Sequence, residues 1–358
     1  MMRKLYTIIP LTIVVCSCTL FYPACRHNDS ILTIMTWNVE NLFDDINNGT
    51  EYHDFIPGEE NWTAEDFHGK MASLSEAIRQ IKKGGPDILL LQEIENENVL
   101  NIFADTYLKG MSYNHRIFSK EEYQAAGTAV LSRIPMEAVY THISDKTGVA
   151  TGRPIVEVHF IVEESSIVIF NNHWKSKSGG EKETEPARRE AAYILNRRIS
   201  LLLEEEPDRP VIIAGDLNED IDEFEKCDPA YPTALLDIKN LEHFTELYPE
   251  TDTEKNLLFT QNITPSNNST SLGLPLLYSC WTDSETGSYF FRKSWERIDH
   301  FFLSSSLVDE SGMELKDFTV CNYDFLIYPD GGPIKWNRER GEGYSDHLPL
   351  ILEIFLKD

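Results

Sequence analysis

The chain has 358 residues, 41% of them hydrophobic, and carries a formal net charge of −27 from 59 acidic and 32 basic side chains. That length and apolar content support one large or two small globular domains with a substantial core, and they exclude a disordered chain. The acidic excess is spread along the sequence, which excludes a passive polyanion binder held by a broad basic surface. It does not exclude an enzyme that meets a polyanion through a metal and a few local cations.

At the N-terminus, Arg3 and Lys4 precede the apolar run LYTIIPLTIVV, too short and too closely followed by small residues to span a membrane. Residues 1–17 therefore read as an export signal. Val15-Cys16-Ser17-Cys18 resembles a bacterial lipobox, and the small Ser17 before it favours Cys18 over Cys16 as the lipidated first residue. Residues 18–30 are then a tether, and the expected product is an exported lipoprotein of the bacterial cell surface or outer membrane, held by its lipid alone. Cys25, Cys227, Cys280 and Cys321 contain no CxxC spacing, which argues against a zinc cluster. Export permits a disulfide without indicating a pair.

ILTIMTWN (31–38) is a β-branched apolar run. From Thr63, the residues Met71, Leu74, Ile78 and Ile81 share one helical face, and Lys82 to Pro86 supply the stop. Strand patterns follow at DILLLQE (87–93), TAVLS (128–132), IVEVHFIV (155–162) and SIVIFNN (166–172). A second helix is expected from Pro186 to about Leu203, with Pro186 at its first position. PVIIAGD (210–216), RIDHFFLS (297–304) and LPLILEIFL (348–356) complete the strands, and 222–280, weakly periodic and rich in Asn, Ser, Thr and Pro, is expected to form long loops. No repeat or Pro/Gly linker divides residues 31–358, so they are read as one α/β domain. Helices are too sparse for strand-helix alternation, which favours two stacked sheets with helices outside.

Polar residues close these strands. Asn38 follows ILTIMTW, Glu93 follows DILLLQ, Asn171 and His173 follow SIVIF, and Asp216 and Asn218 follow PVIIAG. Asp299 lies in RIDHFF, and Asp346 and His347 precede LPLIL. Singly, each is a strand end meeting water; together they describe a polar pocket on a rigid scaffold. Glu93, Asn38 and Asp346 offer the hard oxygen donors that magnesium or manganese accepts. A His paired with Asp is a general-base arrangement, and with no GxSxG elbow the nucleophile is water. Hydrolysis of a phosphate ester follows.

TWNVEN (36–41), LLQEIEN (90–96), GTAVLS (127–132), NNHWKS (171–176), AGDLNE (214–219), RIDH (297–300) and YSDHLP (344–349) resemble, in order and spacing, the motifs of the endonuclease/exonuclease/phosphatase superfamily. The resemblance runs from about residue 31 to the C-terminus. It implies a four-layered α/β sandwich of two mostly antiparallel sheets flanked by helices, with 31–358 as the catalytic domain. It further implies Glu93 as main metal carboxylate, Asn38 as its neighbouring amide and Asp346 near the metal shell. Asp299 and His347 would orient and activate water, with Asp216 a competing base beside Asn218. Asn171 and His173 would meet the phosphate and assist the leaving oxygen, and Arg153 is a further phosphate contact.

Lys175 and Lys177 beside Trp174, Arg188 and Arg189 at the second helix, and Arg292, Lys293 and Trp295 suit a nucleic-acid backbone with stacked bases. The expected activity is a magnesium- or manganese-dependent nuclease acting on DNA or RNA. A sphingomyelinase would need a long apolar hairpin, for which GSYFFRKSW (287–295) is short and interrupted by charge. An inositol polyphosphate phosphatase would carry a basic residue after the Asp-x-Asn motif, where AGDLNED has none. A catalytically silent surface domain would lack a ligand or base, and every expected position is filled. No protein partner is implied.

Overall fold

The computed structural model describes residues 30–58, 61–144, 153–262, 270, 272–282, 286–329 and 331–356. The signal, Cys18 and the tether up to residue 29 lie outside the described residues. The apolar strand Ser30–Leu42 is buried along its middle and pairs antiparallel with Leu350–Leu356 and parallel with Ile88–Ile94. These form the centre of a six-stranded sheet, in the order Met313–Val320, Leu350–Leu356, Ser30–Leu42, Ile88–Ile94, Gly127–Ser132 and His115–Ser119. A second, eight-stranded sheet runs Met136–His142, Ile155–Val162, Ser165–His173, Val211–Asp216, Asp299–Leu303, Leu276–Ser279, Leu257–Thr260 and Leu235–Asp237. Most pairings are antiparallel.

The two sheets lie face to face through their central strands, with the helices outside. Ile88–Ile94 is buried on both faces, which is why its sequence is continuously apolar. Helix Ala64–Ile81 packs on the first sheet and starts at a capping box, Thr63 accepting from the Asp66 backbone while Asp66 accepts from Thr63. Helix Glu181–Glu205 packs against the second sheet. It begins five residues before the expected start and encloses Pro186. Its first turn, EKETE, is polar and has no apolar period to announce it.

The described residues of 222–280 are not the expected long loops. They contribute the strands Leu235–Asp237, Leu257–Thr260 and Leu276–Ser279 that extend the second sheet to its edge, with the short helix Leu241–Leu247 packed through Phe244. Strands of three or four residues are too short to show a period of two. Cys227, Cys280 and Cys321 form no disulfide among the described residues, and no helix among them is long and apolar enough to cross a membrane.

Register places the polar strand ends together. Ser165–His173 and Val211–Asp216 run parallel, so both end at one edge, with His173 beside Asp216. Asp299–Leu303 runs the other way and begins at that edge, with Asp299 on the other side of Asp216. Gly215 is obligatory here. It has φ +119°, and a Cβ would stand 2.1 Å from the Asn172 carbonyl.

Candidate active site

Three neighbouring strands of the second sheet thus present His173, Asp216 and Asp299 side by side, each almost wholly buried. His347 is added from the loop before the last strand. The Trp37 indole donates to the His347 carbonyl at 3.0 Å, and Ser345 donates to the Asn38 carbonyl at 2.6 Å. Leu348 N–H donates to the Ser288 carbonyl at 2.7 Å on the other side. Clamped between these strands, the imidazole gives Nδ1 to Asp299 at 2.7 Å and points Nε2 at Asp216, 4.0 Å away. Burial opposes its charge, but the carboxylates of Asp299, Asp216 and Asp346 prevail and hold its pKa well above the ordinary value. Asp216 is pushed up to about 7, by burial first and then by Asp299. It accepts from the Asn38 amide at 2.9 Å and from Asn218 N–H at 2.8 Å.

The first sheet supplies the carboxylate side. Glu93 (φ 67°), Glu40 (φ 54°) and Asn41 (φ 57°) all sit in the left-handed region, strain of the kind that functional sites retain. Asn41 N–H donates to Glu93 at 2.8 Å. Burial, with Asp346 close by, pushes Glu40 up to about 7. Lys70 answers these acids: fully buried, it donates to the Glu40 carbonyl and faces the charges of Glu40, Asp346 and Glu93. Neither Glu40 nor Lys70 stood out as a site residue in the sequence. A signal existed for each, since Glu40 lies inside TWNVEN and Lys70 falls on the apolar stripe of its helix with Leu74 and Ile78.

Most of the expected residues meet in one cleft of about 1190 Å³, lined by Asn38, Glu93, Arg153, His173, Lys175, Asp216, Asn218, Asp346 and His347. Arg153 donates to His173 Nε2 at 3.1 Å, and burial together with Arg153 keeps that imidazole neutral, its pKa well below the ordinary value. Asp299 stands behind His347 rather than on the cleft wall. Asn171 is brought elsewhere. It donates to the Leu91 and Ala129 carbonyls and accepts from Gln92 at 2.7 Å, bonding one sheet to the other inside the core.

Several expected backbone contacts are also redirected. Lys177 lines the cleft but pairs with Glu223 at 2.6 Å. Arg188 is buried against Glu185 and Glu219, and Arg189 donates to the Thr233 and Asp252 carbonyls. Trp174 is buried and donates to Asn172, while Trp295 packs on Phe290. The Glu223 partner of Lys177, the Glu219 partner of Arg188 and both partners of Arg189 come from elements distant in sequence, so residue type alone could not separate these residues from free cations.

A family model for the endonuclease/exonuclease/phosphatase family matches residues 33–232, the stretch that holds Asn38, Glu93, His173 and Asp216. This chain belongs to the endonuclease/exonuclease/phosphatase family. Among solved structures, it superposes on truncated TDP2 from Caenorhabditis elegans with a TM-score of 0.52 and 15% identity, covering 91% of this chain and 97% of that one. A mannosyl-6-phosphatase from Bacteroides thetaiotaomicron gives 0.51 and 15% over 91% and 100%. An endonuclease/exonuclease/phosphatase family protein from the same species gives 0.50 and 14% over 92% and 99%. At these identities the likeness bears on the fold alone. No curated protein matches the chain.

Enzymes of this family are divalent-metal-dependent phosphoester hydrolases. The residues present fit such an ion. Glu40, Glu93 and Asp346 gather carboxylate oxygens with Lys70 as the cation they share, and Glu40 is raised by burial first and then by Asp346. On the other side, ligand atoms of Asp216, Asp299 and His347 lie within 4.8 Å of one another, and Asp299 Oδ1 is buried without a partner. Glu93, Glu40, Asp346 and the Asn38 amide are the hard donors that would hold the ion.

Proposed function

We propose that the protein is a magnesium- or manganese-dependent phosphodiesterase that hydrolyses nucleic-acid phosphodiesters with water as the nucleophile. The observation that supports this most is the cleft itself. His347, locked by Asp299 and facing Asp216, lines it, together with the cations Arg153, Lys175 and Arg292 and the rings Tyr52, Tyr289 and Phe291. Cations beside exposed rings suit a chain of phosphates and bases.

A divalent cation held by Glu93, Glu40, Asp346 and Asn38 would supply charge neutralisation at the phosphate. The protein does the rest. Arg153, oriented by its bond to the neutral His173, binds the phosphate oxygens, and Asn218 fixes the loop after Asp216 through its bond to the Trp174 carbonyl at 3.2 Å. Of Asp216 and His347, 4.0 Å apart, the one that is unprotonated takes the proton of the attacking water. The new P–O bond forms as the ester P–O bond breaks, and the leaving oxygen takes up a proton from solvent in the open cleft.

Purified protein should cleave single-stranded DNA, duplex DNA or RNA with magnesium or manganese and stop in EDTA. Turnover of sphingomyelin or inositol polyphosphates with no nucleic-acid cleavage would overturn this reading. We further infer that Cys18 carries the lipid that anchors the protein at the cell surface. Cys18→Ala should appear in the soluble fraction, and a Cys18→Ala protein that stays membrane-bound would refute the assignment.

A further inference from the structure

The hairpin of Tyr289–Phe291 and Ser294–Glu296 has features that hydrolysis alone does not require. It turns through Arg292 (φ 49°) and Lys293 (φ 69°), both left-handed, as a tight two-residue hairpin demands. Strand alternation sends Phe290 backwards onto Trp295, ring centres 5.1 Å apart, and sends Tyr289 and Phe291 into the cleft. The two cleft rings are nearly parallel, at 17°, with centres 6.3 Å apart. Tyr289 also lies 4.7 Å from the His347 imidazole, and the Arg292 guanidinium lies 4.9 Å from the centre of Phe291.

A row therefore leads outward from the reacting centre: His347, Tyr289, Phe291, Arg292. Its inner end is fixed, because Tyr289 is bridged to His347 and Ser288 N–H donates to the Glu296 carbonyl at 3.0 Å. Its outer end is open. Phe291 is 44% exposed on a cleft wall, where packing gives no reason for a large ring. Exposed apolar surface inside a site, with a cation at its end, is the surface that ring stacking plus one phosphate would cover.

We propose that this row is the subsite for the nucleoside adjoining the scissile phosphate, the base packing on Tyr289 and Phe291 and the next phosphate meeting Arg292. The proposal rests on the nucleic-acid reading above and deepens it. Every base has a π face, and the Tyr289 and Phe291 rings offer a stacking surface for it, so binding here is tolerant of base identity.

Three chromogenic diesters with one leaving group test it: thymidine 5′-(p-nitrophenyl phosphate), thymidine 3′-(p-nitrophenyl phosphate) and methyl p-nitrophenyl phosphate. The native enzyme should prefer at least one thymidine ester in kcat/KM. Phe291→Ala should shrink that preference roughly ten-fold, mainly through KM, as loss of one stacked base does. Phe291→Leu, which keeps apolar bulk without a π face, should lie between. A native enzyme indifferent to the nucleoside would overturn the subsite and leave the phosphodiesterase standing. Equal losses on methyl and thymidine esters would also overturn it, since that pattern marks a structural hairpin. Failure on all three diesters and on nucleic acid, alongside turnover of another phosphoester, would remove the nucleic-acid reading and the subsite with it.

Discussion

Two clusters in the second sheet bury carboxylate, imidazole and guanidinium together, and only one of them is open to substrate. On the strand Ile155–Val162, Glu157 is wholly buried and receives four hydrogen bonds: His142 at 2.6 Å, His159 at 2.5 Å, and two from Arg198 at 2.7 Å each. Burial would raise its carboxyl, but these donors hold it far below the ordinary range. At the catalytic edge the same chemistry is left unbalanced. Asp216 faces a second carboxylate and is raised to about 7, and Asp299 Oδ1 and His173 Nδ1 are buried without partners. Saturated acid serves stability; crowded, under-satisfied acid is poised for an ion, a proton and a phosphate.

The contrast breaks most directly at His347. His347→Ala should lower turnover about 10² to 10⁴-fold while the fold persists, and Asp299→Asn should resemble it. The double variant should cost little more than either single change, because residues that act as one unit are not additive. Losses that multiply would assign the water's proton to Asp216 instead. Glu157→Gln should do the reverse, costing roughly 3–5 kcal/mol in chemical denaturation as the buried charge network loses its centre. Its turnover per folded molecule should stay the same.

Acid sharpens the same difference. The folded carboxyl of Glu157 lies below its ordinary value of 4.5, so the unfolded chain binds the proton more readily. Its contribution is complete above about 4.5 and is lost as pH falls from there through the folded value. The charged and titratable groups facing it are His142, His159, Arg198 and Tyr140. Denaturation midpoints followed downward from neutral pH should therefore fall more steeply for the native protein than for Glu157→Gln. Parallel curves would show that the network adds nothing.

On the carboxylate side, Glu93→Ala should raise the metal concentration needed for half-activity by at least the roughly 10- to 100-fold that loss of an outer-sphere partner costs. Direct metal titration by calorimetry should show the same shift. The smallest effect concerns salt. With Lys177, Arg188 and Arg189 held in the protein's own bonds, few cations face the cleft. Nucleic-acid binding by Glu93→Gln should weaken with salt as roughly 2 to 4 phosphate contacts predict. A log-log slope near −8 would reveal a basic surface that the cleft does not show.

Continuous apolar runs announced the central strands, and the polar residue closing each run announced the site, because a strand's burial pattern and the end of that pattern are local properties. Thus Asn38, Glu93, His173, Asp216, Asp299 and His347 were legible. Asn171 was legible as a residue but not by its place, since only sheet stacking sets its amide against Leu91 and Ala129. The strands within 222–280 were too short to carry a period.

The sequence by itself determined the two-sheet class, the family motifs and the hard-oxygen, imidazole-and-carboxylate chemistry, all carried by residue type and short-range spacing. Tertiary structure alone decided which charges are available. Lys177 meets Glu223 across 46 positions, Lys70 comes to rest under Glu40, and Tyr289 is set beside His347 by a bridge between distant segments. Long-range packing fixes each distance, and an ion pair or a ring contact exists only at contact distance.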